Sequence, residues 1–404
     1  MAGESSLPIS STLSRVMPLW RLAFRPFFLF GALFSLLAML AWGAFWHGSL
    51  LFEPLGGMVW WHQHEMLFGF VAAIVAGFLL TAVQNWTGQR SLHGWPLLAI
   101  VLVWLAGRLV MAFPGLMSPP GAPNGLSVAL VDLAFLPLVA GVMARLVIRA
   151  KQWRNLIFVP VLVLLVVANA LMHWGLARGD GTLVRAGAHL AVLLITLLMV
   201  VLGGRVIPFF TSLRLKRPKA QPGAWLERLA IGGVAALVLI GLLGAAGLVM
   251  PALLTAALAI SAGLANLWRL ARWEGGRTLR EPLLWGLHAS YAFVGLGLVM
   301  FGLAALGDRG RHGHHDPVDA VAGLAGAYRP PHQDPAGDRC GLGHDAACGH
   351  AAGAGADAMA PGHPLDAEPE HPAVVPRLCG LPDALRLAAA VIAARRWGRL
   401  RGSG

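Results

Sequence analysis

Residues 60–83 read WWHQHEMLFGFVAAIVAGFLLTAV, and this stretch indicates the class of the fold. From Met66 onward it is an uncharged apolar run, long enough to cross the hydrocarbon core of a bilayer as a helix. Two histidines and a glutamate, His62, His64 and Glu65, stand immediately before that run. Such side chains are costly at the border of a membrane and are usually retained for a partner or a ligand. We therefore expect a functional site there.

The composition of the whole chain agrees with a membrane protein. The 404 residues are 57% hydrophobic and 12% charged, with a mean hydropathy of +0.67. Soluble domains carry about 25% charged residues, so this class is excluded. Apolar runs of spanning length occur nine times, and the chain is predicted to be an all-α, polytopic membrane helical bundle. The predicted spans are residues 27–45, 66–83, 96–113, 126–147, 156–174, 184–201, 229–249, 251–270 and 283–306.

Basic residues concentrate on one side of this predicted bundle. If the N-terminus is cytoplasmic, the cytoplasmic side up to residue 306 holds 18 Lys and Arg residues, whereas the opposite side holds Arg178 and Arg185. Cytoplasmic loops are enriched in Lys and Arg, so this pattern predicts a cytoplasmic N-terminus. The formal net charge of +12 follows largely from this topology. A nucleic-acid partner is therefore not expected.

The chain changes character at Asp308. Residues 308–404 contain all three cysteines, eight of the 15 histidines and ten of the 26 prolines, without a further apolar run of spanning length. The irregular cysteine spacing predicts neither a zinc knuckle nor a disulfide framework. A histidine-rich tract at 311–315 is typical of metal-binding tracts, but no site is assigned to it. We expect a transmembrane domain over residues 1–307 and a low-complexity, disordered tail over 308–404.

Short motifs along the predicted spans form an ordered series that covers about residues 18–306. The series comprises WRLAFRPFF at 20–28, WHQHEMLFG at 61–69, GFLLTAV at 77–83, NWTG at 85–88, VDLAF at 131–135, RN at 154–155, Asn169 with His173, GGRVIP at 203–208 with Thr211, and LH at 287–288. It resembles the NnrS family of bacterial inner-membrane proteins. Each motif is weak alone, whereas their order and spacing are specific.

The resemblance implies a multi-pass protein of the bacterial inner membrane that binds haem and copper and serves nitric oxide tolerance or metabolism. Binding, conversion and sensing of nitric oxide stay open as alternatives, and so does enzymatic activity. Members of the family typically have twelve spanning helices, whereas this chain has nine predicted spans. The missing helices would follow the ninth span, where the tail begins. A frameshift is one hypothesis for the tail. With suitable codons, the gene segment for residues 311–318 would encode an apolar stretch if it were read in a frame shifted by one nucleotide.

The resemblance makes four histidines cofactor-binding candidates, namely His62, His64, His173 and His288. Imidazole suits both haem iron and copper, and the thioether of Met66 could join His62 and His64 at copper. The topology places the first three histidines near one membrane face and His288 near the other, which predicts two sites. Residues two apart point to opposite sides of a helix, so His62 and His64 share an ion only if their segment is not helical. A packing hydrogen bond is the alternative for each.

Four further ionisable residues are candidates for a role in the membrane. Glu65 either orients a histidine or stands solvated at a helix start. Arg205 precedes Pro208, where a helix should kink or end, and it either binds a haem propionate or anchors the cytoplasmic side. Arg108 and Asp132 lie within predicted spans and could form an intramembrane ion pair.

Two alternative functions suit the same pattern. A small-molecule or metal transporter would use the same bundle and the same intramembrane charges. An inactive remnant would follow if lost helices left the bundle incomplete. A haem absorbance band would favour the first interpretation, and substrate uptake without a cofactor would favour the transporter.

Overall fold

The computed structural model describes residues 18–49, 52–117, 125–216, 218, 223–248 and 250–307, and this part of the chain contains helices and no strand. Nine helices of the described part are long and apolar enough to cross a membrane, which confirms the predicted all-α bundle. They are α1 (Phe24–Trp46), α2 (Gly57–Thr87), α3 (Trp95–Ala112), α4 (Gly125–Arg149), α5 (Trp153–Arg178), α6 (Gly181–Leu215), α7 (Ala224–Ala245), α8 (Ala252–Ala271) and α9 (Pro282–Gly307). The predicted disordered or frameshifted tail, 308–404, lies outside the described residues.

Two helices extend beyond their predicted spans. Helix α2 begins at Gly57, so His62 and His64 are part of the helix rather than of a segment before it. Helix α6 continues through Pro208 to Leu215, where a kink or an end was expected. Proline removes one backbone hydrogen bond, but membrane helices tolerate this loss where neighbouring helices satisfy the freed groups.

A tight connection holds α5 and α6 side by side. Gly179 ends α5 in a left-handed conformation with φ of 66°. Asp180 then caps α6, because its Oδ1 accepts a hydrogen bond from the Thr182 amide at 2.8 Å. Gly187 permits close packing, since a Cβ there would lie 2.6 Å from the Ala168 carbonyl oxygen. The residues on the late turns of α5 are thereby held against α6.

Helix α4 is irregular beside a buried acid. It consists of two α-helical parts, Gly125–Leu133 and Phe135–Arg149. Pro137 has no N–H to donate to the carbonyl of residue 133, four positions earlier, which accounts for the interruption. Asp132 is the last residue but one of the first part and is 4% exposed. The interruption therefore lies directly beside the acid.

The helices pack as two sets joined by the α5–α6 contact. In the first set, α1 packs on α2, α2 and α3 each pack on α4, and α4 packs on α5. In the second set, α6 packs on α7 and α9, while α8 packs on both α7 and α9. One hydrophobic core of buried side chains runs through both sets. Each set also encloses a group of buried polar side chains.

Candidate metal centre

A π-helical segment in α2, Glu65–Val71, positions the first polar group. Such segments widen one turn of a helix and are frequent at functional sites. Here His64, Glu65 and Phe68 all point into the bundle and are at most 2% exposed. The carbonyl of Gly69 accepts a hydrogen bond from the Trp104 indole at 2.9 Å, which ties the segment to α3.

Arg108 of α3 links two carboxylates from neighbouring helices. Its Nη1 donates to Glu65 Oε2 at 2.9 Å, and its Nη2 donates to Asp132 Oδ1. Gly69 makes room for this link, because a Cβ there would lie 2.5 Å from Glu65 Oε2 and 2.7 Å from Arg108 Nη1. The predicted ion pair between Arg108 and Asp132 is confirmed. The structure adds Glu65 as a second partner.

His64, Asp132 and His173 meet beside this link, from α2, α4 and α5. Asp132 Oδ2 lies 3.3 Å from His64 Nε2 and 3.1 Å from His173 Nε2. One ligand atom of each residue lies within 4.8 Å of those of the other two, and all three residues are buried. Donor atoms about 2.0–2.2 Å from one ion lie roughly 3–3.5 Å apart, so two separations already suit a shared ion. Imidazole and carboxylate donors together suit a first-row transition metal.

Further contacts orient these three side chains. His64 Nδ1 lies 3.2 Å from Glu65 Oε1, and His64 Nε2 lies 2.7 Å from Asn169 Oδ1. The Asn169 amide donates to Asp132 Oδ2 at 2.8 Å. Glu65 is fully buried, so it is not the solvated helix start of the second interpretation. Its position instead suits a carboxylate that accepts a hydrogen bond from the non-ligating ring nitrogen of a metal-bound histidine.

The formal charges in this group do not balance. Glu65 and Asp132 contribute two negative charges, and Arg108 contributes one positive charge. An excess charge is costly in a low-dielectric interior, so a bound cation or an imidazolium would stabilise the group. We call it the acidic cluster. Its members are His64, Glu65, Arg108, Asp132, Asn169 and His173.

Aromatic rings cover the two imidazoles. Trp60 stacks on His64 with ring centroids 5.0 Å apart and meets His173 edge-on at 5.6 Å. Phe68 also lies against His64, with ring centroids 5.1 Å apart and the ring planes tilted by 40°. Both aromatic side chains are buried. The trio therefore lies in a water-poor environment, where charge interactions are strong.

The structure separates His62 from His64. His62 is half-buried and stacks on Trp42 of α1, with ring centroids 4.3 Å apart. His62 Nδ1 is buried without a hydrogen-bond partner. Met66 packs, partly buried, against the hydrophobic core. Because the segment is helical, the condition for His62 and His64 to share one ion is not met.

His288 lies in the second helix set, at the start of α9. Its Nδ1 is 2.8 Å from the Leu284 carbonyl oxygen, to which it donates. Its Nε2 is buried without a hydrogen-bond partner. The ring faces Gly275, where a Cβ would lie 2.7 Å from His288 Cδ2. His288 is thus an available donor, separate from the acidic cluster.

Arg205 of α6 contacts α5 rather than a histidine. Its Nη1 donates to Asn155 Oδ1 at 3.0 Å, and its guanidinium lies 5.6 Å from the centre of the Phe158 ring. Arg205 also lines a cavity between α1, α2 and α6. That cavity has no histidine, cysteine, methionine or tyrosine in its lining, so it offers no iron ligand.

A second buried polar group binds the α6–α9 set together. Arg269 Nε and Nη2 donate to the Glu227 carboxylate at 2.7 and 2.8 Å. Arg269 Nη1 donates to the Val200 carbonyl at 3.0 Å and to Tyr291 Oη at 2.9 Å. Tyr291 donates to Asn266 Oδ1 at 2.5 Å. We call Glu227, Asn266, Arg269 and Tyr291 the paired cluster, because its one positive and one negative charge balance.

Most residues of the acidic cluster could be identified from the sequence, but their arrangement in space could not. Asp132 was predicted as an ion-pair partner, whereas its position between two imidazoles was not. Trp60 and Trp104 were not predicted to contribute. An acid inside an apolar run was the available signal for Asp132, since a buried carboxylate requires cationic or metal partners. Aromatic residues in a membrane sequence are too common to provide a comparable signal.

Comparison with known proteins agrees with the motif series. A family model described as NnrS protein matches residues 18–323 of the chain. No curated protein and no solved structure matches the chain. The acidic cluster, His288 and Arg205 all lie within the matched residues.

Proposed function

Because the chain belongs to the NnrS family, we propose that it is a haem- and copper-binding protein of the bacterial inner membrane that serves nitric oxide tolerance or metabolism. The acidic cluster is proposed as the copper site, with His64, Asp132 and His173 as ligands. The N-terminus is proposed to be cytoplasmic, as the distribution of Lys and Arg predicts. The acidic cluster would then lie towards the periplasmic face.

The observation that carries the proposal is the convergence of three buried donors from three helices within 4.8 Å. Glu65, Asn169 and Arg108 hold these side chains in position. On binding, a metal at His64 Nε2 would replace the hydrogen bond that this nitrogen makes to Asn169 Oδ1. A divalent cation would also offset the excess negative charge. Bound copper would supply a redox-active centre for nitric oxide, a small uncharged molecule that can approach through the lipid.

The haem part of the proposal rests on His288. His288 Nε2 is a free, buried donor of the kind that ligates haem iron. The cavity at Arg205 does not include His288 in its lining and lacks an iron ligand. We therefore assign no propionate role to Arg205. His288 remains the proposed axial ligand.

A transporter is the second candidate, favoured by one observation. Charged clusters lie in both helix sets, and intramembrane ionisable groups often mark transport pathways. A transporter would move its substrate without retaining a stoichiometric metal. An inactive remnant would neither retain metal nor transport a substrate.

Metal and haem analysis of the purified full-length chain tests the proposal. We expect about one copper per chain, with His64→Ala and His173→Ala each reducing the content at least about tenfold. His62→Ala is the matched control, because it lies in the same helix, outside the cluster, and should retain copper. Copper that survives both cluster substitutions would refute the ligand assignment. If the protein instead contains stoichiometric iron, and both variants lose it, the ligand assignment would stand and the metal would be iron rather than copper.

Haem is measured in the same preparations. A haem absorbance band that His288→Ala removes, with copper content unchanged, would support two separate cofactors. A band that survives this substitution would refute His288 as the axial ligand. Uptake of a substrate by vesicles containing metal-free and haem-free protein would favour the transporter.

A further inference from the structure

A crevice between α1, α2 and α6 opens towards the surface that faces lipid. Its volume is 420 Å³, within the range of about 300–1,000 Å³ that is typical of small-molecule sites. Its walls are mainly aromatic and aliphatic, with Phe28 of α1, Phe78 of α2 and Leu202 of α6 among them. Phe24 and Phe209 at its border are 40% and 52% exposed, so an apolar chain can enter from the bilayer.

Arg205 is the charged residue in the lining of the crevice. In the described part of the chain no carboxylate forms a salt bridge with its guanidinium, and its direct polar partner is the neutral Asn155. Arg154 lies close enough to add positive potential. Glu227 also acts on Arg205 electrostatically, but both oxygens of Glu227 are already bound by Arg269. The crevice therefore carries a cation whose charge is not neutralised.

The other intramembrane arginines differ from Arg205 in this respect. Arg108 is bound to Glu65 and Asp132, and Arg269 is bound to Glu227. An unneutralised guanidinium at the border of an apolar crevice is complementary to a ligand with one anionic group and an extended apolar part. Arg205 also lies on the side of the bundle that is rich in Lys and Arg.

We propose that this crevice binds an anionic phospholipid, with one acyl chain between α1, α2 and α6 and the phosphate on Arg205. In the proposed orientation the lipid belongs to the cytoplasmic leaflet, which is where anionic headgroups attract basic side chains. Thr81 does not contribute a free group, because its hydroxyl donates to the Gly77 carbonyl and accepts from the Phe24 amide. Asn85 and Trp86 are the other polar residues of the lining, and both are neutral, so selectivity for an anionic headgroup rests on Arg205.

Native mass spectrometry of the delipidated, full-length protein in neutral detergent tests the site. Phosphatidylglycerol and phosphatidylcholine are added separately, and the bound fraction is measured against concentration. We expect one phosphatidylglycerol to bind and Arg205→Gln to weaken it about tenfold or more, since a charge-assisted hydrogen bond is lost. Arg214→Gln is the matched control, because Arg214 lies on the same helix and the same side but is exposed and paired with Glu281.

A second variant keeps the test independent of Arg205. Ala82→Leu leaves the guanidinium in place and adds bulk to the crevice lining, so it should also weaken phosphatidylglycerol binding. Equal binding of phosphatidylcholine, or unchanged phosphatidylglycerol binding in both variants, would overturn the proposal. Loss of haem from Arg205→Gln with phosphatidylglycerol retained would also overturn it, in favour of a propionate contact. Retention of copper in every variant is expected, because the crevice is separate from the acidic cluster.

Discussion

The two buried ionic clusters use similar residues in different proportions. In the paired cluster, Arg269 and Glu227 face each other through two hydrogen bonds, and the remaining donors and acceptors are shared with Tyr291 and the backbone. In the acidic cluster, Arg108 faces two carboxylates, Glu65 and Asp132. The imidazoles of His64 and His173 lie against Asp132. The single positive charge of Arg108 cannot neutralise both carboxylates.

This difference separates a structural cluster from a candidate binding site. A balanced and fully hydrogen-bonded ion pair has no remaining capacity for a ligand, and removing one partner leaves the other charge buried. An unbalanced cluster with donors at metal-ligand spacing gains stability when a cation binds. Copper should therefore affect the acidic cluster and leave the paired cluster unchanged.

The largest expected effect comes from removing each guanidinium. Arg108→Met should destabilise the protein by about 3–5 kcal/mol, because it leaves two buried carboxylates without their partner. Arg269→Met should cost less, because the side chain of Glu227 is 32% exposed and water can solvate its charge. Added copper should restore part of the loss in Arg108→Met, since the cation replaces the missing charge, and none in Arg269→Met. Unfolding in mixed detergent, with and without copper, measures both values. Equal recovery of the two variants would contradict the distinction between the clusters.

The second largest expected effect comes from substituting the glycine that leaves space beside each guanidinium. Gly69→Ala should crowd Glu65 and Arg108, and Gly204→Ala should collide with the Arg269 guanidinium. Each change should cost about 1–3 kcal/mol. Copper content should fall in Gly69→Ala alone, and elemental analysis beside the unfolding measurement reports this.

A control on α7 tests the glycine comparison. A Cβ at Gly232 meets no heavy atom within 4 Å, so Gly232→Ala should leave stability and copper content close to those of the unmodified protein. If Gly204→Ala lost copper as well, the two helix sets would be coupled through α6. The clusters could then not be treated as separate.

The smallest effect comes from one hydrogen bond in each helix set. Tyr291→Phe removes the bond to Asn266, and Trp104→Phe removes the bond to the Gly69 carbonyl. Tyr291→Phe should reduce stability by about 1 kcal/mol. Trp104→Phe should cost about 1–2 kcal/mol, because it also leaves a small cavity where the buried indole was. Trp104→Phe should also weaken copper binding several-fold, because the π-helical segment that holds His64 is less restrained. A copper titration followed by equilibrium dialysis would show whether Tyr291→Phe leaves the affinity unchanged, as we expect.

Much of the site could be predicted, although its assembly could not. The ionisable residues of the apolar runs identified His64, Arg108, Asp132 and His173 as costly groups that require partners. The choice of His62 as an equal candidate came from adjacency along the chain. Helix rotation separates the two, since His64 turns towards α5 and His62 turns towards Trp42 of α1. The π-helical segment that follows them, Glu65–Val71, changes the rotation of the later residues of α2 and leaves no signal in the hydrophobic pattern.

The sequence by itself determined the all-α class, the nine spans and the membership of the NnrS family, and it predicts the orientation. These properties depend on the number of apolar or charged residues in each stretch and on the order of motifs, which are local quantities. Only the tertiary structure decided that Asp132 lies between His64 and His173, that Arg108 joins two acids, and that Arg205 lines a crevice without a carboxylate partner. These contacts depend on how each helix is rotated and packed, and a uniformly apolar helix has no marked hydrophobic face from which that rotation could be read.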